Sequence, residues 1–333
     1  MKAGFVAVVG RPNVGKSTLV NALAGTKVSI VSPKPQTTRD AIQAVVTRPE
    51  GQIVFVDSPG IHQPKMELGR RMLREIRRAS DGCHVVLFLI DVSRGMGPKD
   101  EQALATLPQS DTPVVLVLNK VDRLSAKEEL LPLIEQCSKL HDFAAYVPIS
   151  ARKEDGLDRL LVEIFERLPE ADNYYPDDYI TDQPERFLAS ELIRERILHE
   201  TEQEVPHHTH VAIEKWEEKG NLLRLAAVVY VERDGQKGII IGKGGEMLKR
   251  IASSARASLE AAFARKIYMQ VFVKVKPGWR DKPAFMKTLD DGRYLTGIGG
   301  LEPDLELEPE GVEKLDLQAL GLDGGLDGDD PVA

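Results

Sequence analysis

The sequence predicts an α/β domain with a mainly parallel sheet, followed by a smaller α+β domain. Three observations carry that expectation. Short aliphatic runs alternate with helix-length stretches from residue 3 to 168, a proline- and acid-rich break follows, and beyond it helices and strands recur in a different order. A chain of 333 residues is also longer than one hydrophobic core usually organises.

The runs before the break are Phe5–Val9, Ile53–Val56, Val85–Ile90, Val114–Leu118 and Tyr146–Ile149. Continuous apolar runs of this length suit strands covered on both faces. Helix-length stretches such as 67–80 and 127–140 lie between them, and that alternation implies helices on both sides of a parallel sheet. The break, LPEADNYYPDDYITDQPERF at 168–187, has three prolines and six acidic residues and reads as a linker. After it come a helix over 187–202, strands over 210–216 and 222–232, and the stretch GIIIGKGG at 238–245. A helix over 246–264, with Leu248, Ile251, Ala255, Leu259, Ala262 and Phe263 on one stripe, and a strand over 267–275 complete the pattern. The expected organisation is a first domain over 1–170, a linker over 171–186, a second domain over 187–280 and an extension over 281–333 with an acidic, flexible tail.

Two cysteines, Cys83 and Cys137, exclude a disulfide framework and read as buried thiols in a reducing compartment. The run 85–90 is strand-sized, so no transmembrane segment is expected. The opening MKAGFVAVVGRP runs straight into a glycine loop and reads as a first strand, not a signal peptide. The net charge of −8 conceals an asymmetry. Residues 300–333 hold eleven Asp/Glu and one Lys, whereas 205–276 hold thirteen Lys/Arg against seven Asp/Glu, a local net of +6. The local excess, not the average, argues for a nucleic-acid partner.

GRPNVGKS at 10–17 fits G-x-x-x-x-G-K-[ST], placed after a strand and at the start of a helix. Gly10 and Gly15 let the loop wrap closely, Arg11, Pro12, Asn13 and Val14 complete it, and Thr18 continues the helix. Successive N–H groups and the helix N-terminus face the phosphates. Lys16 reaches the outer phosphates and Ser17 offers an oxygen to Mg²⁺. DSPG at 57–60 ends the strand IVFV: Asp57 can hold a magnesium-bound water and the Gly60 N–H can reach the terminal phosphate, with Ser58 and Pro59 between them. NKVD at 119–122 ends VVLVL. Asp122 can accept two donors on the edge of guanine, which adenine lacks, while Asn119 braces the loop and Lys120 lies between them. SARK at 150–153 can offer the Ala151 N–H to the guanine oxygen, flanked by Ser150 and Arg152. The expected cofactors are therefore GTP or GDP with Mg²⁺.

These motifs, in this order, resemble the Ras-like GTPases of the translation-factor-related branch over about the first 170 residues. The resemblance implies a magnesium-ligating threonine in VSPKPQTTRD at 31–40, Thr38 or alternatively Thr37. Many members carry a glutamine directly after the DxxG glycine, where this chain has Ile61, which cannot polarise water. Slow intrinsic hydrolysis is expected, with catalysis assigned to Lys16, Thr38, Gly60 and Asn13. In related GTPases an asparagine at the place of Asn13 accompanies a potassium ion near the phosphates; K⁺ is the expectation here, with loop bracing the alternative. His62 reads as a solvated turn residue or a base. Arg70, Arg71, Arg74, Arg77 and Arg78 form a solvated helix face or an RNA-facing one.

GIIIGKGG lacks the phosphate-loop spacing. Its usable element is the G-x-x-G of Gly242, Lys243, Gly244 and Gly245, in a helix–strand–strand–helix–loop–helix–strand order that resembles a type II KH domain. Such loops clamp about four single-stranded nucleotides. Ile240, Ile241 and Met247 are expected to line the groove for bases, with Lys249 and Arg250 adding charge. Together with PERFLASELIRERIL and VFVKVKPGW, the two halves resemble the Era family of GTPases over roughly 3–280. That resemblance implies binding to the 3′ end of 16S ribosomal RNA, a role in small-subunit maturation, a cytoplasmic location with peripheral inner-membrane association, and a monomer. The remaining readings are an RNA-binding adaptor with structural nucleotide and a GTPase acting on another RNA. The acidic tail either shields the basic face or is simply solvated.

Overall fold

The computed structural model describes residues 1–34, 37–57, 82–107, 111–282 and Phe285. They form two compact units, one made of Met1–Glu191 with the segment starting at Trp279, the other of Leu192–Gly278. The expected helix over 67–80 and the acidic tail lie outside the described residues.

The first unit is a six-stranded sheet. Its strands are β1 (Lys2–Val9), β2 (Ile42–Arg48), β3 (Gly51–Asp57), β4 (Val85–Asp91), β5 (Val114–Asn119) and β6 (Ala145–Ile149), in the order β2-β3-β1-β4-β5-β6. Every residue of β3, β4 and β5 is buried, which is what their unbroken apolar runs required. All pairings are parallel except β2 with β3. The edge strand β2 is absent from the expected strands, because IQAVVTR alternates and lacks the long apolar run of its neighbours.

Helices α1 (Lys16–Ala24), α2 (Pro98–Leu104), α3 (Leu130–Ser138) and α4 (Leu157–Arg167) cover the sheet. One cluster packs Leu19, Leu23, Phe55, Leu160 and Ile164; another packs Phe88, Leu116, Leu133, Cys137 and Phe143. Each fully buried side chain of this kind contributes about 1.5–3 kcal/mol, so the parallel strands are held firmly enough to present their C-terminal ends as a fixed rim.

The stretch expected as a linker is fastened to β2. The Val45 N–H donates to the Ile180 carbonyl at 2.8 Å, and Thr181 Oγ1 donates to the Gln43 carbonyl at 2.7 Å. Gln52 is fully buried, donates through Nε2 to the Tyr175 carbonyl at 2.9 Å and accepts the Tyr175 N–H at 3.0 Å. Tyr175 stacks on Tyr179 with ring centroids 4.7 Å apart. The exposed edge of the sheet is thereby covered. The division between units falls inside the next helix, α5 (Glu185–Glu200), not in the proline-rich stretch.

The second unit has strands β7 (His210–Lys219), β8 (Leu222–Val231) and β9 (Lys266–Val275), in that order, with β7–β8 antiparallel and β8–β9 parallel. Helix α6 (Asp234–Ile241) leads through the turn Lys243–Gly245 into α7 (Glu246–Phe263). The buried stripe of α7 is Leu248, Ile251, Ala252, Ala255 and Leu259. The expected stripe overran its last turn: Ala262 is exposed, and Phe263 is half-buried in an edge contact with Trp216. Among the described residues no helix is long and apolar enough to cross a membrane.

Candidate functional site

The loop 10–15 joins the end of β1 to α1, so the first N–H groups of α1 point into the rim of the sheet. Gly15 sits at φ 104°, and a Cβ there would run into the side-chain amide of Asn119. No other residue fits that approach without moving the loop. Lys16 is buried, and its Nζ donates to the carbonyls of Gly10 at 3.1 Å and Arg11 at 3.3 Å. Burial pushes its ammonium down to about 8, against the opposing charge of Asp57.

Asp57 ends β3 and is fully buried. Burial raises its carboxyl, opposed by the charge of Lys16. Oδ2 accepts from Ser29 Oγ at 2.9 Å, whereas Oδ1 is buried with no hydrogen-bond partner among the described residues. The two threonines of the 31–40 segment stand apart. Thr38 Oγ1 lies 2.8 Å from Ser17 Oγ and is buried, while Thr37 Oγ1 donates to the Lys34 carbonyl at 2.7 Å. Two hydroxyls in contact and an unpartnered carboxylate oxygen form an all-oxygen donor set, which suits a hard divalent cation.

Asn119 links three loops. Its Nδ2 donates to the Val14 carbonyl at 2.8 Å, and its Oδ1 accepts from the N–H groups of Lys120 at 2.8 Å and Ala151 at 3.1 Å. The Ala151 N–H expected to face a guanine oxygen is thus engaged by Asn119. Ser150 Oγ donates to Asp122 Oδ1 at 2.7 Å, orienting that carboxylate while both oxygens keep a lone pair for a base. Asn13, at φ 67°, donates through Nδ2 to the Pro33 carbonyl and so bridges the phosphate loop and the 31–40 segment. Arg11 turns to buried Asp100 on α2, Nε to Oδ1 2.7 Å. Ser58, Pro59, Gly60, Ile61, His62 and the arginines at 70–78 lie outside the described residues.

Sequence reasoning missed Asp91, Asp100, Asn21 and Ser29. Their short-range neighbours form no motif, and only the fold brings them to the rim.

In the second unit Gly242 adopts φ 73°, and a Cβ there would lie 2.6 Å from Met247 Cβ, so the turn requires glycine. Lys243 and Gly244 are exposed and Gly245 is buried. Gln236 fixes the start of α6, its Oε1 accepting from the N–H groups of Glu232 and Arg233 at 2.9 and 3.1 Å. The groove expectation needs correction at Ile240, which is fully buried because it lies on the inward face of α6. It cannot touch a base, and Ile239, 48% exposed, is the isoleucine that meets solvent. Ile241, Met247 and Lys249 are half-buried. Arg250 is exposed but paired with Glu200 at 2.5 Å and bonded to Met247 Sδ at 3.1 Å.

Comparisons with known proteins agree with this geometry. Residues 5–120 match the family model described as 50S ribosome-binding GTPase, and residues 204–280 match the KH domain model. The chain is 45% identical over 289 residues to GTPase Era of Ruminiclostridium cellulolyticum, covering 86% of this chain and 97% of that one. It is 47% identical over 285 residues to GTPase Era of Stenotrophomonas maltophilia, covering 85% and 95%. Among solved structures, an Aquifex aeolicus Era variant bound to GDP and aluminium fluoride superposes with a TM-score of 0.84 at 41% identity, over 87% of this chain and 99% of that one. An Era in complex with MgGDPNP and nucleotides 1506–1542 of 16S ribosomal RNA also gives 0.84 at 41% identity, over 87% and 98%.

Proposed function

The chain belongs to the Era family of GTPases, and from that premise we propose that it is a nucleotide-controlled RNA-binding factor of small-subunit maturation. It binds and hydrolyses GTP at the rim of the first sheet and binds unpaired RNA near the 3′ end of 16S ribosomal RNA through its second unit. The observation that carries the reading is the Ser17–Thr38 contact of 2.8 Å at Asp57, whose Oδ1 has no hydrogen-bond partner among the described residues. It joins the phosphate loop, the 31–40 segment and the end of β3 at one point, so whatever occupies that point governs all three.

Ser17, Thr38 and Asp57 would hold Mg²⁺, which neutralises the charge of the outer phosphates when bound. Lys16 exchanges its carbonyl partners for phosphate oxygens. The N–H groups of residues 13–18 cradle the rest of the chain of phosphates. Asp122, held by Ser150, accepts from the guanine edge, and Asn119 keeps that loop in register with the phosphate loop. Thr38 and the Gly60 N–H sense the terminal phosphate, and its loss frees the 31–40 segment, an order-to-disorder change that releases the RNA-bound complex. The G-x-x-G of Gly242–Gly245 admits the RNA backbone close to the chain, Lys243 supplies charge, and Ile241 and Met247 flank the bases. With Ile61 in place of glutamine, hydrolysis depends on added elements, for which we assign the RNA and a potassium ion near Asn13. The protein acts as a cytoplasmic monomer with peripheral association with the inner membrane.

The test is multiple-turnover GTP hydrolysis with an oligoribonucleotide matching nucleotides 1506–1542 and with a scrambled control. Stimulation by the matching RNA alone is expected. Equal rates with both would leave an RNA-binding adaptor whose nucleotide is structural.

A further inference from the structure

We infer that Ser29, held in place by Asn21, is a positioning residue that orients Asp57 toward the metal side of the nucleotide pocket. The inference rests on the reading of Asp57 as a magnesium-side carboxylate.

A carboxylate at a strand end turns easily, because the last side-chain torsion of Asp has a broad, two-fold preference. Asp57 also shares its buried space with Lys16, a cation that would draw it across the pocket. The bond from Ser29 resists both tendencies. Ser29 Oγ donates to Asp57 Oδ2 at 2.9 Å, leaving Oδ1 as the oxygen without a hydrogen-bond partner among the described residues. Lys16 Nζ is meanwhile on the carbonyls of Gly10 and Arg11.

Ser29 can act as an anchor only if its own backbone is fixed, yet it lies outside any strand or helix. Asn21 supplies the missing ladder. Its Oδ1 accepts from the N–H groups of Val28 at 3.0 Å and Ser29 at 2.9 Å, and its Nδ2 donates to the Ser29 carbonyl at 2.7 Å. Three bonds from one side chain hold two successive residues, and Ser29 is 1% exposed. Asn21 stands four residues after Ser17 on α1, so the two share a helix face. The helix that presents the Ser17 hydroxyl therefore also sets, through Asn21 and Ser29, the direction of the Asp57 carboxylate. Two of the three oxygens expected to face the cation are referred to one rigid element.

The experiment measures the Mg²⁺ concentration for half-maximal retention of a fluorescent GDP, the GDP affinity in excess chelator, and thermal unfolding. Ser29→Ala is expected to raise the Mg²⁺ requirement about 10-fold, the usual effect of losing a partner of a metal-binding carboxylate. Affinity in chelator should stay within about 2-fold, and Ser29→Thr, which keeps the hydroxyl, should restore most of the loss. Asn21→Ala should shift the Mg²⁺ requirement in the same direction, and it serves where Ser29→Ala fails to fold. An unchanged Mg²⁺ requirement in Ser29→Ala, or equal losses with and without Mg²⁺, overturns the inference. Asp57→Asn separates the two levels: if it too leaves the Mg²⁺ requirement unchanged, the magnesium reading itself fails, whereas a shift there without one in Ser29→Ala sinks only the role of Ser29.

Discussion

Lys120 Nζ lies 2.7 Å from Asp91 Oδ2, and the same ammonium donates to the Asn13 carbonyl at 2.6 Å. The lysine of NKVD thus works as a strut between the end of β4 and the phosphate loop, with Lys120 itself held at φ 70°. Burial would raise the Asp91 carboxyl, but the bonds from Lys120 and Ser93 outweigh it and hold the group below its usual range.

Replacing Asp91 with Asn leaves Lys120 without its counter-charge in a mostly enclosed position. The expected cost at pH 7 is about 1.5–3 kcal/mol of unfolding free energy, the range for a hydrogen bond to a charged group. The sign with pH is fixed by the lowered folded value. Stability from Asp91 is fully present above the ordinary carboxylate pKa and is lost as pH falls through the folded one. Urea unfolding from pH 8 downward should therefore show a constant gap between parent and variant that narrows only below about pH 4.

Ser150 and Asp122 make a second pair with a direct readout. Ser150 Oγ donates to Oδ1 and holds the carboxylate in place, and both oxygens keep a lone pair for the two donors of the guanine edge. Inosine diphosphate lacks the exocyclic amine of guanine and should bind the parent at least ~10-fold more weakly than GDP, since it leaves an acceptor unpaired. Asp122→Ala should bind both about equally and weakly. Competition against a fluorescent GDP measures it, and a variant that still prefers GDP would remove Asp122 from base reading.

What the sequence made legible was chemistry concentrated in a few consecutive residues. Gly10–Ser17, Asn119–Asp122 and Gly242–Gly245 each carry turn, charge and donors within one short segment, so their local conformation and task can be read together. The parallel sheet was legible for a related reason, since strands buried on both faces carry unbroken apolar runs, such as 85–90. Ile239, Ile240 and Ile241 illustrate the limit. Three identical residues cannot reveal which faces inward until the phase of α6 against the sheet is known, and only Ile240 is fully buried. Asn21, Ser29 and Asp91 are polar residues whose partners are set by tertiary placement, and no local pattern marks them. The 171–186 stretch misled through composition: its prolines and acids suit a tether, yet Gln52 and Gln43 on the neighbouring strands supply the bonds that hold it down.

That clasp is testable at one amide. Gln52 is fully buried and accepts the Tyr175 N–H while donating to the Tyr175 carbonyl and, at 3.1 Å, to Thr47 Oγ1. Gln52→Ala strands both backbone groups of Tyr175, at about 1–3 kcal/mol. Hydrogen exchange should show the Tyr175 amide protected in the parent and about 10-fold or more faster in the variant, following that loss. Equal protection in both would mean that the stretch is held by its contacts to β2 alone.

Lys243 is exposed in the G-x-x-G turn, whereas Arg250 is offset by Glu200. Removing an uncompensated phosphate contact should act differently from removing a paired one. Lys243→Ala is expected to weaken RNA binding and lower the slope of log affinity against log salt by about 0.7, the value per contact for single strands. Arg250→Ala should change that slope by less, and GDP affinity should stay unchanged in both. Equal slopes for parent and Lys243→Ala would take Lys243 off the RNA backbone.

The proposed potassium ion makes Asn13 testable through the choice of salt. Its Nδ2 is committed to the Pro33 carbonyl and its own carbonyl to Lys120, so the side-chain oxygen is the group left to coordinate an ion beside the phosphates. With Ile61 following the DxxG glycine, no glutamine at that position orients the attacking water or offsets charge on the terminal phosphate. A cation held by Asn13 would supply such charge, and losing one fixed electrostatic contact to a transition state costs about 10²–10³ in rate. Single-turnover hydrolysis should therefore run at least ~10-fold faster in KCl than in NaCl, with the difference absent in Asn13→Ala. A bracing role for Asn13 gives another pattern, in which the variant is slower in both salts by one factor and the parent is indifferent to the cation. Equal parent rates in the two salts would therefore rule out potassium and leave the bridge to Pro33 as the whole contribution of Asn13.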